Sequence, residues 1–262
     1  MKLLDQWQIQ QHLKHKQLDI CLFESVPSTN DYLKKFKGNE TLKFCLAEQQ
    51  TQGRGRLNRT WHSPFGQNLY LSCLYSFHKE VSELAGLSLV ISLAIIKTLK
   101  QFNLHEHIFV KWPNDIIYIE NAKNKKLSGC LIDIYADTQD KSHAVIGIGI
   151  NVNMLHDKEE INQPWTSMQK ILGKVVDRNV LCAGMIDNLL DYLAQFTANG
   201  FSFFISEWMK SDYLLNQVVE LHNLNQKIIG KVVGVNAQGQ LLLQLATDEI
   251  CANSSGEAMI VK

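Results

Sequence analysis

The sequence carries no surplus of charge of either sign: 26 basic residues balance 26 acidic ones in a chain of 262. Proteins that coat nucleic acid or an anionic membrane need a basic excess, so neither DNA nor a membrane is an expected partner. No C-x-x-C pair occurs among Cys21, Cys45, Cys73, Cys130, Cys182 and Cys251, which argues against a zinc ribbon or a thioredoxin-like site. No apolar run is expected to reach the roughly 20 residues that cross a bilayer. Met1 to Gln11 has neither an apolar h-region nor a cleavage signal. A cytoplasmic protein with reduced thiols is the expectation. The phosphate-binding pattern G-x-x-x-x-G-K-[ST] is missing. Gly53-x-Gly55 and Gly147-x-Gly149 start like a dinucleotide fingerprint, but Asn58 and Val152 stand where its third glycine belongs. Internal repeats and low-complexity segments are absent as well.

What remains is an ordinary globular composition, 45% apolar and 20% charged, with enough chain for one large domain and a small appendage. Alternation predicts a strand at Leu18–Val26, continuous apolar runs predict buried strands at Leu69–Phe77 and Ala144–Val152, and further strands are expected at Lys43–Glu48, Ile108–Lys111, Ile116–Glu120 and Gly129–Ala136. Helical spacing predicts helices at Asp31–Phe36, with Ser28 or Thr29 as N-cap, at Leu84–Phe102, and between Val180 and Trp208. After Tyr213 the texture changes to short alternating runs broken by Gly and Asn, which predicts a small barrel of five or so strands. The fold class is therefore α+β, with domains at residues 1–213 and 214–262.

Three clusters carry the chemistry. In Gln50-Thr51-Gln52-Gly53-Arg54-Gly55-Arg56-Leu57-Asn58-Arg59-Thr60-Trp61, glycines permit close backbone approach and arginines offer planar forks for carboxylate or phosphate. Trp61 adds a face on which a purine could stack. In Lys111-Trp112-Pro113-Asn114-Asp115, the proline ends a strand and presents Asn114 and Asp115 from a rigid turn. Lys111 can neutralise phosphate there, and Asp115 could hold Mg2+ or orient a neighbour. In Lys126-Leu127-Ser128-Gly129, a lysine precedes a strand whose glycine would let a ligand lie on the sheet. Asn151, closing the GIGIN strand, could offer its amide to a ribose or phosphate. Each cluster singly also fits a solvated turn. His12/His15 and His105/His107 have metal-compatible spacing, but their polar surroundings favour solvated histidines.

Taken together and in order, these segments resemble the biotin–protein ligases, also called biotin–[acetyl-CoA-carboxylase] ligases. The match runs through Ser28-Thr29-Asn30, the GRGR loop with Trp61, Ser63-Pro64, Asn68-Leu69-Tyr70, KWPND, KLSG and GIGINV to Gly256-Glu257. The resemblance implies a class II synthetase-like mixed sheet with helices on it, followed by an SH3-like β-barrel. It implies ATP-dependent formation of biotinyl-5′-AMP and transfer of biotin to a lysine of the biotin carboxyl carrier protein of acetyl-CoA carboxylase. By resemblance, Ser28, Thr29, Asn30, Gln50, Gly53, Arg54, Gly55, Arg56, Lys126, Gly129 and Gly149 surround biotin. Arg54, Arg56, Trp61, Lys111, Asn114 and Asn151 surround the adenylate, and Lys126, Arg54, Arg56 and Lys111 are the catalytic group. Mg2+ is expected to arrive with ATP. The loop is expected to be a lid, mobile until ligand binds. The family commonly has glycine at position 58; asparagine tolerates the left-handed φ that such a turn needs. About twenty-five residues precede Ser28, too few for a three-helix DNA reader, so a ligase without repressor function is expected. An exposed sheet edge could support a homodimer. Lipoate and octanoate ligases share the adenylation logic but lack the GRGR–Trp and KWPND pair. The non-enzyme rival is a module that retains biotinyl-adenylate without transferring it.

Overall fold

In chain order the elements are α1 (Gln6–His12), β1 (Asp19–Val26), α2 (Thr29–Lys34), β2 (Lys43–Gln50), β3 (Leu69–Phe77), α3 (Leu87–Lys100), β4 (Ile108–Lys111), β5 (Asp115–Glu120), β6 (Lys123–Thr138) and β7 (Lys141–Ile150). Then follow α4 (Met168–Leu172), α5 (Arg178–Asn199), α6 (Ile205–Ser211), β8 (Val218–Asn223), β9 (Gln226–Val235), β10 (Leu241–Gln244), β11 (Ile250–Asn253) and β12 (Glu257–Ile260). This computed structural model describes residues 2–36, 42–138, 140–156, 161–223 and 226–261.

Seven strands form one mixed sheet in the order β1-β2-β3-β7-β6-β5-β4. Only β1 and β2 are parallel; the other neighbours run antiparallel. Because successive strand residues face opposite sides, β3 and β7 serve two purposes at once. Leu69, Leu71 and Cys73 with Ala144, Ile146, Ile148 and Ile150 join α3 and α5 in the main core. The intervening positions carry small groups, Ser72, Gly147 and Gly149, on the opposite face. There Leu33 of α2 covers Cys45, Leu74 and Val145 in a second, smaller cluster. Ser28 caps α2 by accepting from the Asp31 amide at 3.4 Å, so the helix starts at Thr29, two residues before the expected start.

Val81–Lys100 corrects the expectation about apolar runs: these 20 residues are long and apolar enough to cross a bilayer. Their composition has a core explanation. All of α3 except Ser88, Lys97 and Lys100 is buried, in one cluster with α5 and the sheet. At roughly 1.5–3 kcal/mol for each fully buried aliphatic side chain, that burial accounts for the apolar pattern without a membrane.

Two helices lie outside the sequence expectation. α1 is capped by Asp5, whose carboxylate accepts from the Gln8 amide at 2.7 Å, and it packs Ile9 into the core. α4 is five residues long, too short for a periodicity signal. The residues ahead of α1 meet a buried ion pair between Glu48 of β2 and Arg178 of α5. Arg178 donates to Glu48 at 2.6 and 3.2 Å, to the Asn68 carbonyl at 3.1 Å and to the Lys2 carbonyl at 2.9 Å. Glu48 also accepts from the Leu4 amide.

The second sheet has the order β11-β10-β9-β8-β12, and hydrogen bonds fasten it and the chain leading into it to β4 and the turn that follows β4. The Trp112 indole donates to the Gly239 carbonyl at 3.1 Å, and the Tyr213 amide donates to the Val110 carbonyl at 2.9 Å. Beside the second fastening lies Asp212. One oxygen accepts from the Leu214 amide at 2.9 Å; the other is buried without a partner. Burial pushes this carboxyl up to about 6, with the Leu214 bond opposing. A raised carboxyl pKa destabilises the folded state as pH climbs from the unfolded value near ~4 through 6. Asp212→Asn is therefore expected to raise stability by up to about 3 kcal/mol at pH 8, with the gain falling to about 0.5 kcal/mol at pH 4. Urea denaturation at the two pH values measures it.

Candidate active site

A cavity of about 700 Å³ opens over the glycine-bearing face of the seven-stranded sheet. One wall is polar and buried. The Thr29 amide and hydroxyl lie 2.9 and 3.0 Å from Gln50 Oε1. Asn30 donates to the Leu131 carbonyl and to Asp133 Oδ2, each at 3.3 Å. Gln50 Nε2 reaches Ser63 Oγ at 3.3 Å, and Ser63 donates to the Trp61 carbonyl at 3.0 Å. Gly147 makes this packing feasible: a Cβ there would stand 2.3 Å from Asn30 Oδ1.

The facing wall is cationic. β6 bulges at Leu127, since Ile116 pairs with Ser128 but Ile117 pairs with Lys126. The extra residue turns Lys126 to the same side as Gly129, whose ideal Cβ would lie 3.3 Å from Lys126 Cε. Lys126 thus lies inside the strand rather than just ahead of it, and the bulge does what strict alternation would forbid. Its ammonium rests 2.8 Å from Asp115 Oδ1 and 5.3 Å from the centre of the Trp61 ring. Trp61 lies directly on Gly149, where a Cβ would meet Cε2 at 2.5 Å. Its Nε1 is buried without a protein partner. Trp112-Pro113-Asn114 is a hairpin turn with a cis Trp112–Pro113 bond. Asn114 accepts from Arg56 at 3.3 Å and donates to the Cys130 carbonyl at 2.6 Å.

The Gln50–Trp61 segment is a closed hairpin. The Gly55 amide donates to Arg59 at 2.6 Å, Trp61 donates to Gly53 at 2.9 Å, and Arg54 pairs with Thr60. Asn58 has φ +58, the left-handed conformation expected of it, and Leu57 has φ +54 beside it. Arg54 lies 2.5 Å from Asp31 Oδ1. Arg59 grips Glu257 of β12 with bonds of 3.1 and 2.5 Å, and that contact holds the Glu257 carboxyl below its usual range. The loop is thereby tied to the second sheet.

Of the residues singled out in the sequence, Ser28, Thr29, Asn30, Gln50, Arg54, Gly55, Arg56, Trp61, Lys111, Asn114, Asp115, Lys126, Gly129, Gly149 and Asn151 all line this cavity. Gly53 does not. Its ideal Cβ would lie 2.5 Å from the Trp61 carbonyl, so the glycine serves the neck of the hairpin. Asn151 spends its amide nitrogen on the Thr166 carbonyl at 3.1 Å, so the expected donor is already engaged. Trp165 and Ile161 also line the cavity, and the chain at Trp165 pairs with Lys126. Both went unnoticed because no regular pattern surrounds them. Among the described residues no group of three or more His, Cys, Asp or Glu could hold a metal. A lone Asp115 suits a magnesium ion brought by phosphates better than a resident one.

These features, a cavity of about 700 Å³ on a mixed sheet with a glycine–arginine hairpin over it, accompany a direct family match. The profile of the biotin/lipoate A/B protein ligase family matches residues 22–151, and the chain belongs to that family. Within it, similar proteins include biotin ligases. The bifunctional ligase/repressor BirA of Salmonella typhimurium is 37% identical over 235 residues, 88% of this chain and 72% of that protein. A biotin–[acetyl-CoA-carboxylase] ligase of Paracoccus denitrificans is 25% identical over 222 residues, 83% of this chain and 90% of that one. Among solved structures, the biotin protein ligase from Aquifex aeolicus in complex with biotin and ATP superposes with a TM-score of 0.76 at 29% identity, covering 93% of this chain and 99% of that one.

Proposed function

We propose that this enzyme, a biotin–protein ligase, activates biotin with ATP and transfers it to one lysine of a biotin carboxyl carrier protein of acetyl-CoA carboxylase. The observation that carries the reading is the meeting of a hydrogen-bonding wall (buried Thr29 and Asn30 with half-buried Gln50) with a cationic one (Lys126, Arg56, Lys111) in a single cavity. The polar wall suits a ureido ring, and the cationic wall suits a carboxylate facing a triphosphate.

In the first step a biotin carboxylate oxygen bonds to the α-phosphorus and the bond to the β-phosphate oxygen breaks, releasing pyrophosphate. Two anions meet, so positive charge at the developing centre dominates the barrier. Lys126 lies where it can serve the carboxyl oxygen, and Arg54, Arg56 and Lys111 can serve the phosphates. Leaving Asp31 would free Arg54 for that task. Trp61 and Trp165 offer flat faces near the nucleotide, and Mg2+ accompanies ATP with Asp115 at hand. In the second step the carrier lysine attacks the acyl carbon and AMP leaves. The mixed anhydride must be kept from water meanwhile.

The 53–60 hairpin is the lid in this reading. Trypsin cleavage after Arg56 or Arg59 should slow at least severalfold when biotin and ATP are added, and an unchanged rate would remove the lid. We further read residues 1–213 as the catalytic domain and 214–262 as an SH3-like barrel, in a cytoplasmic enzyme without a repressor role. Operator retardation in a gel would contradict the last point. Pyrophosphate release tests activation itself: it should require biotin together with ATP, and lipoate should not replace biotin.

A further inference from the structure

Ser72 does not line the cavity. It is fully buried behind it on β3, and no motif singles it out. Its hydroxyl lies 2.6 Å from Asn30 Oδ1 and 2.7 Å from Thr29 Oγ1. We infer that Ser72 is a positioning residue for substrate recognition: it turns the Thr29 hydroxyl away from Gln50, so that the wall offers oxygens with free lone pairs to an N–H of the bound ring. This rests on the biotin reading above, because a ureido ring supplies such N–H groups.

The inference follows from counting protons. Asn30 spends its amide nitrogen on two acceptors, the Leu131 carbonyl and Asp133, so the oxygen facing Ser72 must accept. Ser72 has one proton, and Asn30 takes it. Gln50 Oε1 faces the Thr29 amide, which can only donate, so that oxygen is fixed as an acceptor and already supplied. The single Thr29 proton then has two claimants, Ser72 Oγ at 2.7 Å and Gln50 Oε1 at 3.0 Å. Ser72 has given its proton away and is nearer, so it receives the Thr29 proton. Thr29 Oγ1 and Gln50 Oε1 are left 3.0 Å apart with no proton between them. An incoming N–H placed between two such acceptors satisfies both.

Without Ser72 the Thr29 proton swings to Gln50, the wall satisfies itself, and the ligand loses its acceptor. The test is a cycle of Ser72→Ala, Thr29→Val and the double variant, scored by pyrophosphate release with biotin and with biotin methylated at a ureido nitrogen. Ser72→Ala should raise KM for biotin about tenfold, one hydrogen bond's worth. KM for ATP and kcat should stay within about twofold, and the preference for biotin over the methylated analogue should narrow. In the Thr29→Val background the same change should have little effect, since its target is gone. Should Ser72→Ala fail to fold, Ser72→Cys, whose thiol is a weak acceptor, should give the same pattern in smaller measure. An unchanged KM for biotin, an equal loss for both ligands, or a full Ser72→Ala effect on top of Thr29→Val would overturn the inference. A wild-type protein inert with biotin would instead overturn the ligase reading.

Discussion

Lys126→Ala should slow pyrophosphate release by about 10²–10³-fold in a single turnover while leaving the melting temperature nearly unchanged, the usual scale for removing one preorganised charge from a transition state. The lysine is only 19% exposed and is aimed by the β6 bulge. Water entering the truncated site cannot reproduce its fixed position. Asp115, its partner at 2.8 Å, becomes an unpaired carboxylate beside the incoming anions and deepens the loss. The effect should fall mainly on kcat, because the cation matters most where charge develops between carboxylate and phosphate. A variant that released pyrophosphate at the wild-type rate would remove Lys126 from the chemistry.

Glu48→Ala should have the largest effect on stability, about 3–5 kcal/mol, because it leaves a buried Arg178 guanidinium uncompensated. In a chain of this size that corresponds to a melting point lower by about 10 °C. The pair also explains why an N-terminal segment with no catalytic residue stays attached: Arg178 binds the Lys2 carbonyl and Glu48 binds the Leu4 amide. Glu48 stands two residues before Gln50, and Asn68, whose carbonyl Arg178 also holds, accepts from the Val152 amide at 2.9 Å beside Asn151. Loss of the pair should therefore loosen both ends of the site. Replacing both partners, Glu48→Leu with Arg178→Met, should recover much of the stability, since a matched apolar pair strands no charge. Scanning calorimetry on the three proteins decides it.

Much of the scaffold was legible in the sequence. β3 and β4 fall on the residues expected of them, β3 as a buried apolar run, and the change of texture after Tyr213 marks the chain that builds the second sheet. The cavity wall was legible for a different reason. Glycines, arginines and a tryptophan at fixed order in loops are unusual enough to be noticed, and they line the cavity together, except Gly53. What escaped were contacts that no local pattern encodes. Ser72 is one serine among hydrophobic residues on a strand. The Leu127 bulge leaves no mark on alternation, and the Glu48–Arg178 pair joins residues 130 positions apart. Val81–Lys100 shows the opposite error: its apolar length is set by burial on several sides, which composition cannot separate from a membrane span.

Transfer of biotin is read by incubating the protein with ATP, magnesium, labelled biotin and a biotin carboxyl carrier domain, followed by mass spectrometry of the carrier. One biotinyl group should appear on a single carrier lysine, dependent on ATP and strongly reduced with Lys126→Ala. An unmodified carrier in the presence of active biotin adenylation would contradict it, leaving a protein that forms the adenylate without passing it on.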